Sequence, residues 1–397
     1  MFSFKLLNSH CFKVRDFSKI FLVGLVGLAF VSLGFGQTKA AIHGQLSVKS
    51  GHICGSSGQP VQMRGMSMYG WTNACGYAFY NASCINHLAQ DWKCTAIRMP
   101  YQPNGTIPMT QINAVIQACI DNGIYVIVDW HGGSATTAST TAAFFKTVAT
   151  QWHTYPNIMY EPWNEPTVAW SQIKPYMETV IAAIRAIDAN NIIICGNPQW
   201  DQEPQLAAAD PITDYTNIAY SMHFYAASHS EASFGPGITT AISKGCAIFI
   251  TEYGTCNASG GSPLNLPATT TWYNFLNANT IGSTNWGVEC QDEGGAAAFQ
   301  KTASSTGPWT ASDLTTDGAF VQAYIMAAGT NVEPNDSKLM QRAITPSKNG
   351  LLTGVTKSAA VYNINGVRCA EGGKLANGLY VVRAQSTGKA QMLNVIR

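Results

Sequence analysis

Two glutamates at the C-terminal ends of apolar, strand-like segments have the residue type and placement of a catalytic pair. Glu165 follows the segment that begins at Ile158, and Glu252 follows the segment that begins at Ala247. In a parallel α/β barrel the C-terminal ends of all strands open onto one face, so residues distant in sequence can converge on one substrate bond. Two carboxyls placed in this way can serve as proton donor and nucleophile at a glycosidic bond. The pair therefore indicates glycoside hydrolysis.

The elements that would position these glutamates alternate between strand and helix. Between several apolar segments the spacing becomes helical, as from Ile112 to Ile120, where Thr110 is a plausible cap and Gly123 ends the pattern. Such alternation predicts βα units and a parallel sheet, and eight strands over roughly 250 to 300 residues match a (β/α)8 barrel. The eight predicted strands are 61–65, 95–99, 125–129, 158–160, 192–195, 218–222, 247–251 and 283–287.

An open, doubly wound sheet is the alternative arrangement of such units. No GxGxxG or GxxxxGK[ST] phosphate loop follows the first predicted strand, although such loops mark many sheets of that kind. Polar and aromatic residues follow many of the strands, whereas an open sheet collects its ligand contacts at a single crevice. We therefore expect an α/β fold of the (β/α)8, or TIM barrel, type.

The composition narrows the classes of partner. The chain of 397 residues is 46% hydrophobic and 11% charged, which is typical of one large core with a small appendage, and its net charge is +1. Because it has no long basic segment, it lacks an electrostatic footprint for a nucleic acid or an anionic membrane surface. We expect an uncharged substrate, no nucleic-acid partner and a monomeric protein.

The chain divides into four predicted segments. Residues 1–40 combine basic residues with an apolar stretch and end in small residues, which predicts a signal peptide; an uncleaved membrane anchor is the alternative. Residues 41–330 form the predicted catalytic domain, 331–350 a linker and 351–397 a small β-rich C-terminal domain. The mature protein is expected to be secreted or bound to the cell surface, without a membrane span.

Cysteine spacing is irregular. The chain has 11 cysteines, and Cys11 lies in the predicted signal peptide, which leaves the others for an oxidising compartment. No CxxC pair or Cys/His cluster supports a structural zinc site. Cys75 with Cys84, or Cys256 with Cys290, are candidate disulfides, but the connectivity cannot be deduced from sequence.

Further polar and aromatic residues stand at or just beyond the predicted strand ends. Taken singly, each has a structural explanation as a buried ion pair, a hydrogen-bonded core histidine or a packed ring. Together they would crowd one end of a barrel with desolvated polar groups, which favours a polar ligand there. Arg98 is expected to keep Glu252 ionised, and Asn164 to bind a sugar 2-hydroxyl. The set comprises Arg98, Asp129, His131, Asn164, His223, Tyr225 and Trp286.

Three tryptophans are candidates for the floor of an open cleft. Sugars present flat C–H faces that stack on aromatic rings, while their hydroxyls bond to polar neighbours. Trp71, Trp200 and Trp286 each follow or end a strand candidate. We expect them to contact the substrate.

At these residues the chain resembles a known family. The segment 160–166, Tyr-Glu-Pro-Trp-Asn-Glu-Pro, is similar to the signature of glycoside hydrolase family 5 endoglucanases, and the segments 96–100, 128–131, 222–226, 250–255 and 285–286 resemble its other strand-end motifs in order. The resemblance implies a retaining enzyme that hydrolyses internal β-1,4 linkages of cellulose or related β-glucans. This mechanism calls for no cofactor, and no metal site is expected. The resemblance implies Glu165 as acid/base and Glu252 as nucleophile. The residues it places around the substrate are Arg98, His131, Asn164, His223, Tyr225 and Trp286.

Two features lie outside that match. His131 is followed by Gly132-Gly133, where cellulases of this type often carry further polar residues. The C-terminal segment has strand candidates at 360–364, 378–384 and 392–396, and it resembles the sorting domains of bacteria with a dedicated outer-membrane secretion route. An ancillary binding module is the alternative for this segment.

Other functions are compatible with the same residues. A β-mannanase or a mixed-linkage glucanase would use the same scaffold, because substrate choice depends on loop contacts. A carbohydrate-binding protein that has lost turnover belongs to a different class. The intact pair Glu165 and Glu252 disfavours it.

Overall fold

The computed structural model describes residues 41–70, 75–103, 105, 107–132, 138–291 and 294–327, together with short strands between 345 and 395. Trp71, the predicted signal peptide and most of the predicted linker lie outside the described residues. Among those described, no helix is both long enough and apolar enough to cross a bilayer.

Strands and helices alternate through most of the chain. The strands are β1 (Ser47–Lys49), β2 (His52–Cys54), β3 (Arg64–Met68), β4 (Ala96–Tyr101), β5 (Tyr125–Trp130), β6 (Ile158–Glu161), β7 (Ile192–Cys195), β8 (Ile218–Tyr225), β9 (Ala247–Gly254), β10 (Ser283–Val288), β11 (Thr345–Pro346), β12 (Leu352–Thr353), β13 (Ala359–Asn363), β14 (Gly378–Ala384) and β15 (Ala390–Val395). The helices are α1 (Ala82–Gln90), α2 (Met109–Asn122), α3 (Ala138–Trp152), α4 (Trp170–Arg185), α5 (Pro198–Asp201), α6 (Pro204–Ala207), α7 (Glu231–Ser243), α8 (Leu266–Ala278) and α9 (Thr316–Met326).

Strands β3 to β10 close into a barrel in which every neighbouring pair is parallel. The order follows the chain, and β10 pairs with β3 to complete the ring, with Ser283 opposite Arg64. The prediction of a (β/α)8 barrel is confirmed. All eight predicted strands are present, but the first begins at Arg64, three residues later than the predicted start at Val61.

Helices that pack around the barrel bury the apolar faces that their spacing predicted. In α2, Ile112, Val115 and Ile116 are fully buried. The predicted cap at Thr110 is wrong, because Pro108 is the N-cap residue and Thr110 already lies in the first helical turn. Gly123 ends α2 with a φ of 70°, a left-handed conformation that glycine adopts without steric cost.

The N-terminal segment covers the end of the barrel where the strands begin. Strands β1 and β2 pair as an antiparallel hairpin, and Leu46 and Ile53 are buried in one apolar cluster with Tyr125 and Met159 of the barrel. The Tyr125 hydroxyl donates a hydrogen bond to the carbonyl of Gly44 at 2.7 Å. Because this end is filled by apolar side chains, the C-terminal ends of the strands are left to form a site.

A disulfide joins Cys75 and Cys290, in the segments that follow β3 and β10. Neither candidate pairing from the sequence is therefore correct. Cys84, the first candidate partner of Cys75, is a buried thiol in α1. Sequence spacing could not reveal this connection, because its two residues are 215 positions apart and meet only where the barrel closes.

The C-terminal segment contains antiparallel strands. Strand β14 pairs with both β13 and β15, which gives a three-stranded sheet. Its strands lie within two residues of the predicted positions. Strands β11 and β12 form a separate antiparallel pair.

Candidate active site

The two carboxyls singled out in the sequence meet at the C-terminal end of the barrel. Glu252 lies within β9 and Glu165 in the segment that follows β6. One oxygen of each lies within 4.8 Å of the other and of a ring nitrogen of His223. The Glu252 side chain is 6% exposed and that of Glu165 is 27% exposed, so the two carboxyls have different access to solvent.

Arg98 of β4 lies fully buried among three carboxylates and one amide. Its Nε donates to Glu161 at 2.7 Å and its Nη1 to Glu252 at 2.7 Å. Its Nη2 lies 2.9 Å from a carboxylate oxygen of Asp129 and donates to the side-chain oxygen of Asn164 at 2.5 Å. The planar guanidinium presents donors in fixed directions, so one side chain orients residues from three strands and the segment after β6.

The charges of this cluster set the protonation of its members. Burial by itself would lower the pKa of Arg98, but the carboxylates of Asp129, Glu161 and Glu252 raise it well above its usual range. Burial likewise favours the neutral form of Glu161, yet Arg98 and, after it, His223 outweigh burial and lower the pKa of Glu161 to about 2. The guanidinium therefore stays charged and favours the anionic forms of Glu161 and Glu252, whereas burial raises the pKa of Asp129.

Glu252 is anionic and doubly hydrogen-bonded. One of its oxygens accepts from Arg98, and the other accepts from the Tyr225 hydroxyl at 2.6 Å. Burial opposes its ionisation, but His223, Arg98 and further neighbours lower its pKa below the ordinary value. The resulting carboxylate is fixed in orientation.

His223 of β8 connects the carboxyl of Glu165 to the barrel strands. Its Nδ1 lies 2.9 Å from Glu165 Oε1 and its Nε2 lies 2.8 Å from the Thr251 hydroxyl. Burial lowers the pKa of this ring, but the Glu161 carboxylate 3.8 Å away, the hydrogen bond to Glu165 and the charges of Asp201 and Glu252 outweigh burial and raise the pKa well above the ordinary value. As an imidazolium, His223 donates to both neighbours.

A second chain of hydrogen bonds orients Asn164. Asp129, at the end of β5, accepts from His131 Nδ1 at 2.8 Å, which leaves Nε2 of that ring as an acceptor. The side-chain amide of Asn164 donates to this Nε2 at 3.3 Å. The Trp286 ring of β10 stacks on His131 with 5.7 Å between ring centroids and a 14° angle between planes.

Trp200 lies on the turn that follows β7. Its side chain is 50% exposed, and it lies in α5, where Gln199, Trp200 and Asp201 all have positive φ angles. The structure thus brings together seven of the predicted site residues around Glu252 and Glu165, and it places Trp200 on an adjacent turn. Trp71 is outside the described residues.

Two buried acids belong to this region although the sequence analysis did not single them out. Glu161 ends β6 and contacts Arg98, and Asp201 lies in α5 with its carboxylate 3.7 Å from His223 Nε2. Glu161 could have been found, because it is a charged residue at the end of an apolar strand, as Glu252 is. Asp201 gave no such signal, since its position depends on an irregular turn.

The close polar atoms in this region are already bonded to one another. Glu161, Asp201 and His223, and likewise Glu165, His223 and Glu252, each bring one nitrogen or oxygen within 4.8 Å of the others. His223 belongs to both groups, and its two ring nitrogens are already engaged by Glu165 and by the Thr251 hydroxyl. The arrangement can bind polar hydroxyls and exchange a proton between a carboxyl and a bound oxygen.

Comparison with known proteins agrees with this geometry. The model of the cellulase family, glycosyl hydrolase family 5, matches residues 54–291. The chain is 37% identical over 339 residues to an endoglucanase of Clostridium saccharobutylicum, which covers 80% of this chain and 75% of that protein. It is 39% identical over 235 residues to endoglucanase Z of Dickeya dadantii, over 56% of this chain and about half, 55%, of that protein.

A solved structure with the same barrel supports the assignment. The catalytic domain of the Thermobifida fusca endoglucanase Cel5A superimposes with a TM-score of 0.66 at 30% identity, over 71% of this chain and 97% of that domain. A variant of that domain has been solved in complex with cellotetraose. By its barrel, its carboxyl pair and these matches, the chain belongs to the cellulase family, glycosyl hydrolase family 5, and is a glycoside hydrolase.

Proposed function

We propose that the chain is a secreted, retaining endo-β-1,4-glucanase that hydrolyses internal linkages of cellulose or related β-glucans. The observation that carries the mechanism is the separation of Glu165 and Glu252, whose nearest oxygens lie within 4.8 Å. Retaining enzymes hold their two carboxyls about 5 to 5.5 Å apart, whereas inverting enzymes need about 6.5 to 9.5 Å to admit a water. The short separation favours direct attack by one carboxylate on the sugar.

The environments of the two carboxyls support different roles for them. Glu252 is buried, and Arg98 and Tyr225 both donate to it, so it is the anion suited to attack the anomeric carbon. Glu165 is more exposed, which suits a group that must exchange protons with a leaving group and then with water. We therefore assign Glu252 as nucleophile and Glu165 as acid/base.

The reaction proceeds in two displacements. Glu252 forms a bond to the anomeric carbon while Glu165 gives its proton to the departing glycosidic oxygen, which produces a covalent glycosyl-enzyme and a shortened chain. Glu165, now a carboxylate, removes a proton from water, and the resulting oxygen nucleophile displaces Glu252. The products are a sugar with retained anomeric configuration and the regenerated enzyme.

The remaining polar residues orient the sugar in this scheme. Asn164 is held from both sides by Arg98 and His131, so its amide can bind the sugar 2-hydroxyl next to Glu252. His223 and Tyr225 keep the two carboxyls in place through direct hydrogen bonds. Trp286, stacked on His131, and the exposed Trp200 provide aromatic faces for the sugar rings.

The choice of β-1,4-glucan over mannan rests on the relatives. Those described above are named as endoglucanases, and one solved relative binds cellotetraose. The alternatives on this barrel differ in the polysaccharide they hydrolyse: mannan for a β-mannanase, barley glucan for a mixed-linkage glucanase and none for a non-catalytic binding protein. Initial rates of reducing-sugar release from carboxymethylcellulose, barley glucan and mannan, compared side by side, separate these possibilities.

Export is part of the proposal. The segment 1–40 acts as a signal peptide, and a disulfide between Cys75 and Cys290 is stable in an oxidising compartment. The three strands of the C-terminal segment suit a small sorting or ancillary domain without catalytic residues.

Proton NMR of the first product tests the mechanism directly. With a defined cello-oligosaccharide as substrate, we expect the β-anomer to appear first and the α-anomer to grow only as mutarotation proceeds. Immediate appearance of the α-anomer would show inversion and remove Glu252 from its role as nucleophile. A chain that binds cello-oligosaccharides without releasing any product would be a binding protein.

Replacing Trp286 with alanine should raise KM for polymeric glucan by about tenfold or more, the equivalent of roughly 1.4 kcal/mol of lost stacking. Trp286→Phe is the matched control, because it keeps an aromatic face over His131 and should show a much smaller increase. Both variants should be compared by thermal unfolding, since Trp286 is 6% exposed and its truncation leaves a cavity. Unchanged kinetics in Trp286→Ala would remove this ring from the cleft.

A further inference from the structure

Asp201 is a fully buried carboxylate placed beneath Glu165. It ends α5, the left-handed turn after β7, and its own φ is 60°. Its two oxygens accept hydrogen bonds from two main-chain N–H groups: Oδ2 from Glu165 at 3.0 Å and Oδ1 from Asn197 at 2.6 Å. The carboxylate therefore links the segment after β6, which carries Glu165, to the segment after β7.

The hydrogen bond from the main-chain N–H of Glu165 to Asp201 is made by a residue in an uncommon backbone conformation. Glu165 has a φ of 53°, in the left-handed region that residues with a Cβ seldom occupy. This conformation directs the side chain of Glu165 to His223 and its main-chain N–H to Asp201. Neighbouring interactions must hold such a conformation, and the carboxylate of Asp201 holds the amide of this residue.

Asp201 faces charged and titratable groups from each adjoining strand. Glu161 of β6 and His223 of β8 each bring one polar atom within 4.8 Å of its carboxylate, and the Cys195 thiol of β7 is a further neighbour. Burial and the negative charge of Glu161 raise the pKa of Asp201 to about 7, although His223 and the two N–H donors oppose this rise. A buried carboxyl with this raised pKa, in contact with the main chain of Glu165, is a candidate for a functional role.

We propose that Asp201 is a positioning residue for the proton transfer by Glu165. It holds the main chain of Glu165 in the left-handed conformation and thereby aims its carboxyl at the glycosidic oxygen. Asp201 does not touch the sugar. This inference rests on the proposed function, in which Glu165 is the acid/base.

The leaving group of the substrate separates positioning of the acid from general structural support. A poor leaving group, such as the sugar hydroxyl released from cellotetraose, needs the proton from Glu165, whereas 2,4-dinitrophenolate departs without one.

Asp201→Asn keeps the shape of the side chain but turns one acceptor oxygen into an amide donor that faces a main-chain N–H group. We expect kcat on cellotetraose to fall about tenfold to hundredfold, a part of the ~10²- to 10⁴-fold that acid catalysis supplies. The formation of glycosyl-enzyme from 2,4-dinitrophenyl β-cellobioside, followed as the burst of dinitrophenolate, should stay within about twofold of wild type.

Asp188 provides a matched control. It is also buried, and its Oδ1 accepts from two main-chain N–H groups, those of Asn190 and Asn191, but its partners lie outside the candidate active site. Asp188→Asn should affect both substrates equally. Asp201→Ser, which leaves a single small acceptor, is the second variant if Asp201→Asn does not fold.

The outcomes are distinct. Glu165→Gln is the reference and must itself lose cellotetraose hydrolysis while keeping the dinitrophenolate burst; if it does not, the proposed function fails. If Glu165→Gln behaves as expected but Asp201→Asn matches wild type, or loses activity on both substrates equally, the role of Asp201 is overturned. Loss of folding in both Asp201 variants would assign the residue to structure alone and would also overturn the inference.

Discussion

Replacing Glu252 with glutamine should lower kcat/KM on cello-oligosaccharides by at least about 10⁴-fold while the protein stays folded. The neutral amide of glutamine cannot attack the anomeric carbon. Arg98 keeps Asp129 and Glu161 as partners in this variant, so its charge remains compensated. Steady-state kinetics and thermal unfolding of the same preparation measure both effects, and a Glu252→Gln protein with wild-type turnover would refute the assignment.

Azide distinguishes the roles of the two glutamates. In Glu252→Ala the small anion can occupy the space of the missing carboxylate and attack an activated β-cellobioside, which gives an α-glycosyl azide. In Glu165→Ala the covalent intermediate still forms, and azide attacks it from the opposite face to give the β-glycosyl azide. Product NMR identifies each anomer. The reverse pattern would exchange the roles of Glu165 and Glu252.

Removal of Arg98 is expected to cost stability as well as activity. Arg98→Met leaves the buried carboxylates of Asp129, Glu161 and Glu252 without their cation, and breaking a buried ion pair costs about 3 to 5 kcal/mol in free energy of unfolding. Arg98→Lys should be intermediate, because one ammonium keeps the charge but cannot replace donors at Nε, Nη1 and Nη2. Urea titration at neutral pH measures the loss.

The pH dependence of that loss has a definite sign. The pKa of Glu161 is lowered from 4.5 to about 2 in the folded protein, so its contribution to stability is complete above pH 4.5 and disappears as pH falls through 2. The stability difference between wild type and Arg98→Met should therefore shrink over this range. Lys174→Met is the control, since its ion pair with the exposed Asp210 should be worth less than about 1 kcal/mol. Equal losses in the two variants would contradict the electrostatic account of Arg98.

The barrel was predictable because its strands are short apolar segments separated by helical spacing. Parallel closure then required the residues after those strands to meet, which is why Glu165, Glu252 and Arg98 could be grouped from sequence alone. The exact start of β3 was not predictable, because Val61 to Met63 are also apolar or neutral and only pairing with β10 sets the boundary. Local spacing also misplaced the cap of α2, where Pro108 competes with Thr110.

Features that depend on irregular backbone or on tertiary contacts could not be predicted from the sequence. Asp201 lies in a left-handed turn built without glycine, and no local pattern predicts three consecutive positive φ angles at Gln199, Trp200 and Asp201. The disulfide between Cys75 and Cys290 depends on barrel closure, which brings together two segments that the chain alone keeps far apart. In both cases tertiary contacts, and not local sequence, determine the backbone conformation or the bonding partner of the residue.

The bond between Cys75 and Cys290 converts most of the barrel into a covalent ring. Cross-linking residues 215 positions apart lowers the conformational entropy of the unfolded chain. In the chain-entropy model this stabilises the folded protein by about 5 kcal/mol. A protease that cuts one exposed loop between these cysteines would leave both fragments tethered and their strands still paired. The protein can therefore lose one peptide bond in this region without separating into fragments, which lengthens its working life wherever proteases are present.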